Sequence, residues 1–156
     1  CMLSPDVVET LGPSLNRLEN ALNNDSAPVG LRKWGYLSLA LAANRNGEAE
    51  KALRLLDKAG QSEGYAQNRS IQALALLIEA MAERERGQAE QASQVLAEAS
   101  SLVEEHLSKL AANELRGGWH DWLIAEILRR EAAQLIAGQA TTPTSRSNAT
   151  PKPNTE

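Results

Sequence analysis

The side chains best suited to move protons or hold a metal are few in this chain. His106 and His120 are its only histidines and Cys1 its only cysteine. A zinc-type centre needs several His, Cys or carboxylate ligands at short, fixed spacing. Neither a cysteine pair nor a His pair on one helical turn is present. Glu104-Glu105-His106 reads as a solvated patch on a helix. His120-Asp121 stands between Trp119 and Trp122, where Asp121 suits a helix cap and His120 a surface contact. Gly117-Gly118 lacks the spaced glycines and the Lys-Ser/Thr ending of a phosphate loop. No serine occupies a nucleophile elbow. Glu83-Arg84-Glu85-Arg86 has the mixed sign of a wet helix face. These patterns imply no catalytic centre, no cofactor and no metal, which leaves binding as the expected role.

With 156 residues the chain can enclose one real core. Its net charge of −4 offers no basic footprint for nucleic acid. Aromatic residues make up 3% and Phe is absent, so a core must come from Leu, Ala and Ile. Ala and Leu among Glu, Gln, Arg and Lys are strong helix formers, which predicts an all-α chain. No apolar run nears the roughly 20 residues of a membrane span. Cys1, in place of an initiator Met, admits two readings: a piece of a longer protein, or a mature lipoprotein lipidated at Cys1, against which Met2 speaks. The expected location is cytoplasmic, with the lipid anchor as its alternative.

The strongest signal is internal. A shift of 40 residues lays Leu37, Ala40, Ala42 and Gly47 on Leu77, Ala80, Ala82 and Gly87. The same shift lays Ala49, Glu50, Ala52, Leu56 and Ala59 on Ala89, Glu90, Ala92, Leu96 and Ala99. Gly supplies the left-handed residue that ends a helix. Each unit therefore reads as a helix, a tight turn at Gly47 or Gly87, and an antiparallel helix. Ala40 with Ala52, and Ala80 with Ala92, are small side chains that let the two helices approach closely.

This pattern resembles the tetratricopeptide repeat (TPR), with small positions, a turn Gly, a large apolar residue and a final Ala. In the first unit these are Ala40, Gly47, Ala52, Leu56 and Ala59; in the second, Ala80, Gly87, Ala92, Leu96 and Ala99. Tyr36 and Leu39 match the early large positions, whereas the second unit has Leu76 and Glu79, and Glu79 departs from the family pattern. The usual proline after the second helix is missing. The spacing exceeds the family's ~34 residues, and the extra residues are expected within Ala59 to Tyr65. The resemblance implies helical-hairpin repeats of the α-solenoid type over roughly residues 31–137. It also extends to the C-terminal arrays of bacterial multidomain proteins that carry a serine/threonine kinase domain or WD repeats. It thus implies a module that binds a protein or peptide or, alternatively, the non-catalytic C-terminal piece of such a kinase, which could touch its own upstream domain.

Residues 1–27 form an N-terminal helical segment, with Ser4-Pro5-Asp6 as cap, an interruption at Gly12-Pro13, and a helix from about Pro13 to Leu22. Residues 28–137 hold the repeats, about 31–64 and 71–108, and a closing helix over 119–137. In that helix Trp119, Leu123, Ile124, Ile127, Leu128, Leu135 and Ile136 make one broad stripe that caps the stack. Residues 138–156, rich in Thr, Ser, Pro and Asn, are expected to be disordered. In TPR arrays the first helix of each pair lines a groove. That implies Trp34, Leu37, Leu41, Asn44 and Arg45 in the first unit, and Leu74, Leu77, Met81, Arg84 and Glu85 in the second. Such a groove is covered by the N-terminal helix, by the closing helix, or by a partner peptide anchored on Asn44, Arg45 and Arg84.

Overall fold

A computed structural model describes residues 7–24, 26–111 and 119–138. Cys1, Ser4-Pro5-Asp6, Gly117-Gly118 and the predicted tail beyond Gly138 lie outside the described residues. Among those described, the regular structure is entirely helical: α1 (Val7–Asn23), α2 (Val29–Arg45), α3 (Ala49–Gly60), α4 (Arg69–Glu85), α5 (Ala89–Ala111) and α6 (Trp119–Gly138). None of these helices is long and apolar enough to cross a membrane.

The two glycine turns are built alike. Gly47 and Gly87 have φ of 73° and 80°, the left-handed region where Cβ would be strained. At the first turn the Glu48 amide donates to the Ala43 carbonyl (2.9 Å) and the Gly47 amide to Asn44 (3.0 Å). At the second, the Gln88 amide donates to Glu83 (2.9 Å) and the Gly87 amide to Arg84 (3.0 Å). Both patterns satisfy the carbonyls that a helix end leaves open. The next helix starts at once, with the Ala52 and Ala92 amides donating to the Glu48 and Gln88 carbonyls. Ala40, Ala52, Ala80 and Ala92 are wholly shielded from water, as close helix approach demands.

One boundary and one interruption differ from expectation. Ala59 and Gly60 belong to α3, and the connection spans 61–68 instead. Gly64 there adopts φ 73°, and Lys33 Nζ donates to the Glu63 carbonyl at 3.1 Å. Asn68 ends the connection as the N-cap of α4, its Oδ1 accepting from the Ile71 amide at 3.2 Å. The expected break at Gly12-Pro13 is corrected: α1 runs continuously through Pro13. A proline inside a helix forgoes one backbone bond. Leu18 and Leu22 nonetheless hold this helix against α2, where Gly35 leaves room that a Cβ would take, 3.0 Å from Leu22 Cδ1.

The helices pack as a row. α2 lies against α3 and α4 against α5; α4 also lies against α2 and α3, and α6 against α4 and α5. So α4 stands between α2 and α6, with α3 against α2 and α4, α5 against α4 and α6, and α1 against α2. The centre is α4, whose Ile71, Leu77, Ile78 and Met81 are among the largest fully buried side chains, joined by Val103 from α5 and Leu128 from α6.

Candidate interaction surface

The residues expected to line a groove lie mostly inside this row. Leu37, Leu41, Leu74, Leu77 and Met81 are buried in the chain's own core, and Trp34 packs partly buried against it. They are not presented to a partner in this conformation, because α2 packs against α1, α3 and α4, and α4 packs against α2, α3, α5 and α6. Asn44 is 4% exposed, and its Oδ1 meets no hydrogen-bond partner among the described residues. Arg45 is committed across the row: its Nη2 donates to Glu131 Oε2 of α6 at 2.7 Å. That bond joins the first and third members of the row directly, which requires the row to curve. The Nε atoms of Arg45 and Arg84 are buried without an acceptor among the described residues. Glu85 stays exposed, and its partial burial pushes its carboxyl above the usual range.

His106 is not the solvated residue its acidic neighbours suggested. Its ring stacks on Trp122 of α6, with centroids 4.0 Å apart and planes 10° from parallel. That burial, with Lys109 nearby, holds its pKa below the usual 6.5. Asp121 is corrected from cap to first-turn residue, since α6 already starts at Trp119. Asp121 pairs with His120, Nε2 to Oδ1 at 3.1 Å. A cleft of about 440 Å³ opens beside this stack, lined by Asn68, Arg69, Ser70, Glu105, Lys109 and Asp121 among others.

The cleft brings a serine, a histidine and an aspartate together, but not as a relay. Ser70 Oγ donates to Asn68 Oδ1 at 2.8 Å and lies 3.5 Å from Asp121 Oδ2. Among the described residues no hydrogen bond joins His106 to either. A nucleophile needs its base within hydrogen-bond reach. The cations of the cleft are answered internally, with Arg69 and Lys109 donating to Glu105 at 3.1 and 2.7 Å. Those bonds hold the Glu105 carboxyl below its usual range. Among the described residues no group of three His, Cys, Asp or Glu side chains is placed to hold a metal ion.

α6 itself carries the feature that sequence reasoning merged. Its apolar residues divide into two faces. Trp122, Ala125, Leu128 and Ala132 are buried against the row. Trp119, Leu123 and Ile127 recur every fourth residue on the opposite side and are 54, 51 and 40% exposed, with Ile124 at its edge. The signal was available, since spacing by four from Trp119 and spacing by three and four from Trp122 trace different sides of one helix. At the flank, Glu126 accepts from Arg129 Nε (2.7 Å) and Arg130 Nε (2.7 Å). The Arg129 bonds chiefly, with those of Arg130, hold its carboxyl down at about 2. Arg129 also reaches Glu104 of α5 at 3.6 Å, which ties α6 to its neighbour.

Compared with protein-family profiles, curated proteins and solved structures, the chain matches none.

Proposed function

We propose that this chain is a TPR-type helical-repeat module whose task is to bind another polypeptide, with no catalytic group of its own. The repeat assignment draws support from the two hairpins, which share one turn geometry and one set of shielded alanines 40 residues apart. The binding assignment is carried by one observation: the row Trp119, Leu123 and Ile127 stands outward on α6. A terminal helix that merely closes a repeat stack presents a polar outer face. An apolar face left in water marks a surface for contact.

The test places a photo-crosslinking amino acid at Leu123, and in a separate variant at the exposed Glu98 of α5. The protein joined at position 123 is then purified and titrated against the wild-type chain and Leu123→Glu. The expected result is an adduct specific to position 123 and at least ten-fold weaker binding by Leu123→Glu. Equal adducts at both positions, or equal affinity, would refute the assignment.

A further inference from the structure

We infer that the outward face of α6 is the seat of a single amphipathic helix from a second polypeptide, lying antiparallel to α6 and completing a third hairpin. This rests on the polypeptide-binding role proposed above and names the class of partner. The first two members of the row each have an antiparallel mate: α2 has α3, and α4 has α5. α6 is set against α4 and α5 as α4 is set against α2 and α3, yet among the described residues no helix pairs with its far side. Residues 139–156 are unsuited to the place: they contain no Leu, Ile, Val, Met, Trp or Tyr, and include Pro143, Pro151 and Pro153. A helix needs an apolar stripe to dock, and proline breaks the helix interior.

The charges agree with an antiparallel mate. Its first turn would lie beside the C-terminal half of α6, where Arg130 is 73% exposed past Ile127. The existing mates both carry a glutamate in their first turn, Glu50 in α3 and Glu90 in α5. An acidic first turn also suits the helix dipole. The exposed row presents on the order of 400 Å², about half of what each partner gives to a stable interface. The partner helix therefore carries small and large apolar residues in the order seen in Ala52, Leu55, Leu56 and Ala59, and in Ala92, Val95, Leu96 and Ala99, behind an acidic first turn.

The probe is a fluorescent synthetic peptide copying α5, residues 89–111, titrated against the full chain by anisotropy. A second peptide carries Leu96→Pro to break the helix. The expected result is saturable binding that weakens at least ten-fold with Leu96→Pro and at least ten-fold with Leu123→Glu or Ile127→Glu in the chain. Equal binding of both peptides would overturn the helix while leaving polypeptide binding intact. No saturable binding would overturn the helix too, and crosslinking at position 123 then decides separately whether a polypeptide binds there at all. Self-association in sedimentation that Leu123→Glu abolishes would overturn it in favour of a second copy. Both substitutions fall on exposed positions, so helix content and melting temperature should match wild type, and a fall in either would show the row to be structural.

Discussion

Removing the charge of Glu131 should cost far more stability than removing the charge of its partner. Arg45 crosses from α2 to α6 to meet Glu131 at 2.7 Å, with 5% of its side chain exposed against 37% for Glu131. Its Nε is buried without an acceptor among the described residues, so the Glu131 bond is what compensates a desolvated cation there. Glu131→Gln leaves that cation buried and weakly answered. Breaking a fully buried pair from one side costs about 3–5 kcal/mol. Glu131 is open to water on one side, which screens the charge and brings the expected cost to about 2 kcal/mol. Arg45→Met removes the buried charge itself and fills its channel with an unbranched apolar chain, so it should cost less than about 1 kcal/mol or stabilise. In the Arg45→Met background, Glu131→Gln should then cost under about 0.5 kcal/mol. Thermal melts followed by circular dichroism read this directly, at about 4 °C per kcal/mol for a chain of this size. Glu131→Gln should melt about 8 °C lower, and the double variant close to Arg45→Met. An Arg45→Met variant less stable than Glu131→Gln, or strictly additive losses, would refute the account.

Three further outcomes are expected. Gly47→Ala and Gly87→Ala should each cost about 1–2 kcal/mol in urea unfolding through left-handed backbone strain alone, because a Cβ at either site meets nothing within 4 Å; a neutral effect at both would contradict the turn geometry. The carboxyl of Glu79 is raised above 4.5 by burial first, then by Glu83, Glu98 and Asp57. Its penalty is therefore full above the raised value and relieved as pH falls through it toward 4.5, so Glu79→Gln should be more stable than wild type at pH 7 and lose that advantage at pH 4.5. The Glu126 carboxyl moves the other way, down to about 2; its contribution, about 1 kcal/mol after screening, is present above pH 4.5 and fades as pH falls toward 2. Acid titrations of Glu126→Gln against wild type should converge there.

The helical class and the paired turns were legible in the sequence because both are local. Alanine-rich, leucine-rich segments favour helix wherever they sit, and a glycine that ends a helix does so through its own φ. The shift of 40 residues exposed the turns at Gly47 and Gly87 for the same reason. Pro13 misled because propensity marks it as a break, whereas packing of Leu18 and Leu22 on α2 outweighs one lost backbone bond. What local pattern could not decide was which side of a helix meets which neighbour. Leu37, Leu41, Leu77 and Met81 have the residue types of a groove or of a core equally, and only the packing of α2 and α4 against their neighbouring helices placed them in the core. His106 has acidic neighbours in sequence and an indole neighbour in space, 16 residues away at Trp122. Arg45 and Glu131 are 86 residues apart and meet only because the row curves. Burial is a property of three-dimensional neighbours, so the same sequence that wrote α6 as one apolar stripe needed the assembled row to divide it into an inner face and an outer one.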